Sequence, residues 1–168
     1  MDWKLKQMDV TSAFTNAKLK EDVYMHAPRG GFGRTKLCKL LTSLYGLKQS
    51  PRCWYDKLCE SLITDYGFER SAMDPCLFRL KHQDDWVYML VYVDDFLIAS
   101  CSRDAVDYVA GRLNADYKMS DLGVPADFLG IEIDFKSASE TGTGRATCRL
   151  HQTRYTQEIL KKFGMEDC

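Results

Sequence analysis

The dipeptide Asp94-Asp95 stands between two apolar runs, Val87-Tyr88-Met89-Leu90-Val91-Tyr92-Val93 and Phe96-Leu97-Ile98-Ala99. Two strand-length apolar runs separated by two polar residues read as a β-hairpin, with Asp94 and Asp95 as its tip. Two-residue hairpin loops favour backbone with φ > 0, which is why Asn-Gly and Asp-Gly dominate them. Asp-Asp supplies no glycine and sets like charges side by side. Two carboxylates 4 Å apart repel by about 4 kcal/mol at an effective dielectric near 20. A chain that carries this repulsion beside a buried sheet either uses the carboxylates to hold a cation or leaves them in a solvated acidic turn. The dipeptide alone leaves both readings open.

A third carboxylate narrows the choice. Gln7-Met8-Asp9-Val10 ends a strand near 3–9 and runs into a short helical turn near 10–17 that begins Thr11-Ser12-Ala13-Phe14. If the Asp9 strand lies beside the hairpin, three carboxylates converge with no basic side chain between them. Hard divalent cations take oxygen ligands, and Mg2+ is typically held by one or two carboxylates plus substrate phosphates.

The rest of the chain reads as hairpins alternating with helices. An extended run near Val23-Tyr24-Met25 precedes a glycine-rich loop (Gly30, Gly31, Gly33) and a second extended run near 36–41. Pro51 opens a helix whose Trp54, Leu58, Leu62 and Tyr66 repeat at i, i+4, and Gly67 is its stop. A strand near 76–81, a turn at Gln83-Asp84-Asp85 and the acidic hairpin form a meander. A helix near 103–116 buries Val106, Val109 and Leu113, and a strand follows near 128–135. Ser137 to Gly144 has loop composition; a strand near 146–150 and a helix near 153–163, with Tyr155, Ile159 and Phe163 on one face, complete the order. This pattern predicts an α+β fold, an antiparallel sheet with helices packed on one face.

The 168 residues suit one domain. No stretch of about 18 apolar residues is present, so no membrane partner is expected. Seven cysteines without a C-x-x-C pair give neither a disulfide frame nor a zinc site, and the three histidines are isolated. The net charge of −1 conceals an asymmetry, since residues 1–57 hold eleven Lys/Arg against five Asp/Glu. A basic segment of that kind can follow phosphates. Equally, Lys18, Lys20, Lys36 and Lys39 can be solvated faces of short elements.

Several motifs occur in one order: Gln7-Met8-Asp9-Val10-Thr11-Ser12-Ala13-Phe14, Ser43-Leu44-Tyr45-Gly46-Leu47-Lys48-Gln49-Ser50-Pro51-Arg52, Asp74-Pro75-Cys76-Leu77-Phe78 and Tyr92-Val93-Asp94-Asp95. Asp121-Leu122-Gly123, Phe128-Leu129-Gly130-Ile131-Glu132-Ile133 and Phe163-Gly164-Met165 follow. With these motifs the chain resembles the reverse transcriptase of copia-type retrotransposons over nearly its whole length. The resemblance implies a polymerase palm whose Asp9, Asp94 and Asp95 bind two Mg2+ ions, with Mn2+ as a substitute and the Val10 carbonyl completing one shell. It places Thr11, Ser12 and Ala13 against the triphosphate of a deoxynucleotide and Phe14 beneath its sugar, excluding a 2′-hydroxyl. Phe14 reads equally as a core aromatic. Tyr45 and Gly46 would pack on the nucleotide and template base. Lys48 and Arg52 would reach nucleic-acid phosphates, although Arg52 can also pair within its helix. Leu129 and Gly130 would lie in a hairpin that grips the primer terminus, a segment whose alternation also suits a plain half-buried strand.

The implied partners are an RNA or DNA template with its primer, deoxynucleoside triphosphates and the remaining polyprotein domains. The implied location is a cytoplasmic virus-like particle or the nucleus. Thr15 and Ala17 depart from the family pattern, which has an apolar residue and a glycine there. An Ala17 forced to φ > 0 would destabilise the loop. The expected organisation is a single reverse transcriptase domain over 1–168, limited to the palm region, with the fingers truncated and the thumb and ribonuclease H absent. Two other readings stand beside a polymerase: an inactive palm remnant that binds nucleic acid or a partner, and a metal-dependent nucleotidyl cyclase or nuclease.

Overall fold

The computed structural model describes residues 3–28 and 37–167. The glycine-rich loop at Gly30, Gly31 and Gly33, together with Lys36, lies outside the described residues. In chain order the elements are β1 (Lys4–Val10), a 3-10 turn (Ala13–Asn16), β2 (Tyr24–His26), β3 (Leu37–Lys39), α1 (Ser50–Thr64), β4 (Glu69–Arg70), β5 (Leu77–His82), β6 (Asp85–Tyr92) and β7 (Asp95–Ser100). They continue with α2 (Arg103–Asp116), β8 (Met119–Gly123), β9 (Asp127–Phe128), β10 (Ile131–Lys136), α3 (Ala138–Thr141), β11 (Thr147–His151) and α4 (Thr153–Lys162). The expected α+β architecture is the one observed. Its centre is a six-stranded sheet in the order β4-β5-β6-β7-β1-β8, with antiparallel pairing throughout.

Period-two alternation gives this sheet a wet and a dry face. Met8 and Val10 of β1, Val87, Met89 and Val91 of β6, and Phe96 and Ile98 of β7 are buried on one side. Against them pack Trp54, Leu58 and Leu62 of α1 and Val106, Val109 and Leu113 of α2, forming one core. Asp9, Asp95 and Tyr92 have the opposite parity and lie on the face that the helices leave open. Pro51 sits in the first turn of α1, where a missing N–H costs nothing. Ser102 caps α2, its hydroxyl accepting from Ala105 N–H at 3.2 Å.

Several local expectations change. The tip of the β6–β7 hairpin is Val93-Asp94, because Tyr92 pairs with Asp95 and Asp95 already belongs to the strand. The carboxylate pair therefore straddles the end of the turn and does not form it. Helix α1 ends at Thr64, short of Tyr66, and Gly67 takes up the following left-handed turn at φ 77. Ala17 has φ −105 and ψ 136, so the substitution of glycine carries no left-handed strain; the left-handed residue of this loop is Ser12, at φ 59.

The strand expected over 128–135 is split. Leu129 (φ 52) and Gly130 (φ 78) form a two-residue turn between β9 and β10, with positive φ at both positions as tight hairpins require. Ser137 to Gly144 is not wholly loop, since Ser137 and Glu140 make a capping box that starts α3. Strand β8 pairs with β1 at the sheet edge although its Ser120-Asp121 centre shows no apolar alternation. Helix α4 stops at Lys162, and Tyr155, Ile159 and Phe163 are all exposed.

Candidate active site

The three acidic residues come together through strand pairing. Asp9 lies directly opposite Asp95 in the β1–β7 register. Residues opposite one another in an antiparallel pair project from the same face, with Cβ atoms about 4.5–5.5 Å apart. Asp94 is joined to them through the backbone, its carbonyl accepting from Val10 N–H at 2.9 Å. The carboxyls feel one another. Burial, then the charge of Asp94, raises Asp9 above the usual carboxylate value. Asp95 is raised by burial, then by Asp94 and Asp9, against a smaller opposing hydrogen bond from the Gln7 amide. Asp127 of β9 adds a smaller upward push on Asp95.

Among the described residues no Lys or Arg salt bridge reaches Asp9, Asp94 or Asp95, and no three acidic, His or Cys side chains form a ready-made metal cage. The donor chemistry nevertheless fits a hard cation. These are half-buried oxygen donors that repel one another, and Mg2+ ordinarily completes its shell with water and substrate phosphates. A raised folded-state value means that the folded chain holds the proton more tightly than the unfolded chain, so ionisation destabilises the fold. The cost is absent below the ordinary value near 3.8, grows as pH rises through the raised folded values, and is complete at neutral pH. Asp95→Asn is therefore expected to raise the metal-free melting temperature by a few degrees near pH 7 and to have no such effect near pH 3. Mg2+ should narrow or reverse the gap at pH 7. An unchanged melting temperature in thermal denaturation would mean that the carboxylates do not interact.

Beside the acidic cluster stands an aromatic pair. Phe14 is only 9% exposed and belongs to the core, yet its ring lies 4.4 Å from that of the exposed Tyr45. The core reading of Phe14 is the one observed, with its ring against Tyr45 at the edge of the core. The Tyr45 hydroxyl is raised by burial, then by the charge of Asp94, against a smaller opposing pull from the Ala13 N–H. Thr11 N–H is already used, donating to the Lys118 carbonyl at 2.8 Å. Ser12 makes no side-chain cap. Its carbonyl instead accepts from Thr15 N–H at 3.1 Å and from the Thr15 hydroxyl at 2.8 Å.

The Ser43–Pro51 segment is held by two serines that sequence reasoning passed over. Ser43 is fully buried, donates through its hydroxyl to the Phe14 carbonyl and through its N–H to the Ala17 carbonyl at 2.8 Å. Ser50 donates to the Leu44 carbonyl at 2.6 Å. Between them, Gly46 takes φ 96, a backbone conformation that favours glycine. The staples fix Tyr45 over Phe14; two hydroxyl residues framing a glycine were the available signal. Lys48 is exposed. Arg52 pairs with Asp56 at 2.8 Å within α1, and Asp56 also receives Lys20 at 2.9 Å.

The turn that carries Asp94 is held from outside the hairpin. Val93 has φ 57, a true outlier for a β-branched residue and worth roughly 1–3 kcal/mol of strain. Its carbonyl accepts the indole N–H of Trp54 at 2.6 Å. Sequence periodicity marked Trp54 only as core; a buried indole N–H in search of an acceptor was the further signal.

An antiparallel sheet with helices on one face and three aspartates brought together on the other is a palm-like arrangement. The model of the reverse transcriptase (RNA-dependent DNA polymerase) family matches residues 1–168, and the chain belongs to that family. It is 38% identical over 166 residues to the retrovirus-related Pol polyprotein from transposon RE1 of Arabidopsis thaliana, covering 97% of this chain and 11% of that protein. It is 32% identical over 171 residues to the corresponding polyprotein from transposon TNT 1-94 of Nicotiana tabacum, covering 99% of this chain and 12% of that one. A putative transposon Ty5-1 protein of Saccharomyces cerevisiae is 35% identical over 129 residues, 75% of this chain and 42% of its own length. The chain thus spans about a tenth of the length of the two plant polyproteins. It is a reverse transcriptase domain of the copia-type Pol kind. No solved structure matches it. Among the described residues no helix is long and apolar enough to cross a membrane.

Proposed function

We propose that residues 1–168 form a single palm-region domain that catalyses RNA-directed DNA synthesis at Asp9, Asp94 and Asp95. The observation that carries this reading is the pairing of Asp9 opposite Asp95, with Asp94 at the adjoining tip, on the sheet face free of helices. Two Mg2+ ions, or Mn2+ in their place, would be held by Asp9 and Asp94, with Asp95 secondary and the Val10 carbonyl as a further donor. When bound they supply an acidified primer hydroxyl and a neutralised triphosphate.

The chain's own groups do the positioning. Phe14, stapled by Ser43, gives the deoxyribose a rigid apolar floor that leaves no room for a 2′-hydroxyl. Tyr45 closes the outer side of that floor, with Gly46 allowing the close approach of the template base. Ser12 and Ala13 lie at the triphosphate end. The Leu129-Gly130 turn, whose hairpin carries Asp127, meets the primer. Template, primer, deoxynucleoside triphosphates and the other Pol domains are the partners, in a cytoplasmic particle or in the nucleus.

Lys48 and Arg52 have different expected weights. Lys48→Ala should weaken binding to a primer–template duplex and reduce the slope of log affinity against log salt by about one unit. Arg52, neutralised by Asp56, should change that slope less. Equal slopes for wild type and Lys48→Ala in a salt titration would remove Lys48 from the interface.

A second reading is a catalytically silent palm that only binds nucleic acid or a protein partner. It is favoured by the apolar side chains left open on β11 and just after α4, where Leu150 and Phe163 are 62% and 67% exposed. Primer extension on an RNA template with deoxynucleotides and Mg2+ separates the two. Extension supports the polymerase. A folded, metal-binding chain that extends nothing supports the silent palm.

A further inference from the structure

The acidic hairpin is fastened at its tip from two sides. Val10 N–H donates to the Asp94 carbonyl at 2.9 Å, and the Trp54 indole N–H donates to the Val93 carbonyl at 2.6 Å. Both carbonyls of the two-residue turn are thus held by elements outside the hairpin, one by β1 and the other by α1. The turn has little of its own to keep it in shape. Val93 sits at φ 57, where a β-branched side chain is disfavoured and where hairpin turns ordinarily use Gly, Asn or Asp. Trp54, by contrast, is rigid. It is 1% exposed, lies edge-on to Tyr117 with ring centroids 5.5 Å apart, and projects from a helix that also grips the 3-10 turn through a 2.7 Å bond from Lys57 to the Asn16 carbonyl.

We propose that Trp54 is a positioning residue for the carboxylate site. Its indole N–H holds the Val93-Asp94 turn in the left-handed form that sets Asp94 against Asp9, and it acts only through that turn. Replacing Val93 by glycine removes the need for holding, because glycine adopts φ near 57 without steric cost. A tryptophan that merely filled the core would be indifferent to the residue at 93. The assignment rests on the reading of Asp9, Asp94 and Asp95 as metal ligands.

The test measures Mn2+ affinity by the electron paramagnetic resonance signal of free Mn2+. It compares the 168-residue chain with Trp54→Phe, Val93→Gly, the double variant and Asp94→Asn, together with melting temperatures. Trp54→Phe keeps an aromatic ring and deletes the donor; it should bind Mn2+ about tenfold more weakly. Val93→Gly should bind within about twofold of wild type, and the double variant should lose no more than about threefold relative to Val93→Gly. Wild-type affinity in Trp54→Phe, or the same tenfold loss in both backgrounds, would overturn the positioning role. Undiminished binding in Asp94→Asn would instead overturn the metal-ligand reading, whatever Trp54 does. Should Trp54→Phe fail to fold, the Trp54 indole N–H resonance, assigned by elimination with Trp3→Phe and Trp86→Phe, decides the matter. Slow solvent exchange that quickens in Val93→Pro, whose ring excludes positive φ, supports the role; exchange as fast as at the exposed Trp86 overturns it.

Discussion

Asp94→Asn should lower primer extension by about three orders of magnitude or more while leaving the chain folded. The substitution keeps the shape of the side chain and its backbone bond, since the Asp94 carbonyl still accepts from Val10 N–H. What it removes is the negative charge that, on the proposed reading, would hold a metal ion. Metal stabilisation of a phosphoryl-transfer transition state is worth several kcal/mol, and each 1.36 kcal/mol is a factor of ten in rate. The charge of Asp94 also raises Asp9, Asp95 and Tyr45. Its loss relieves that repulsion, so the metal-free melting temperature should stay level or rise. Activity and stability therefore move in opposite directions, an outcome that damage to the fold would not produce. Extension equal to wild type, measured on an RNA template within a polymerase-competent polypeptide, would show that Asp94 is not a metal ligand.

Phe96→Ala should destabilise the chain by about 3–5 kcal/mol, read as a lower urea midpoint at unchanged slope. Phe96 is fully buried on β7, between Met8 of β1 and Val91 of β6 in register, and it follows Asp95 directly. The loss is a large share of the total for a domain whose whole stability is about 5–15 kcal/mol. Truncation also loosens the strand pairing that places Asp95 opposite Asp9. Mn2+ affinity should therefore fall in the variant even at temperatures where it remains folded. A change below about 1 kcal/mol would mean that the sheet and helices do not close over this ring.

Much of this architecture was legible because burial writes itself into periodicity. Val87, Met89 and Val91 alternate with Tyr88, Leu90 and Tyr92, and Trp54, Leu58 and Leu62 recur at helical spacing. A strand beside a helix layer and a helix with one buried stripe have no other stable pattern. The motif order carried the family, and the converging aspartates needed only the pairing of β1 with β7. What was misread has separate causes. Strand β8 is a short polar edge strand, and one side of an edge has no core to alternate against. The Ser137-Glu140 capping box was visible as Ser-x-x-Glu, but composition made the segment look like loop. The Leu129-Gly130 turn was hidden because Leu at φ 52 breaks turn preference.

Local chemistry by itself determined helices α1, α2 and α4, the apolar strands, the acidic hairpin and the membership of the family. Each of these depends on neighbours close in sequence, or on a pattern that any buried face imposes. The tertiary structure alone decided that the tip is Val93-Asp94 and not Asp94-Asp95, and that Phe14 is both core and floor for Tyr45. Those outcomes rest on bonds between residues far apart in the chain, such as Trp54 to Val93 and Ser43 to Phe14. The energy of a bond of that kind can hold a turn in a conformation its own residues disfavour, and no local preference records it.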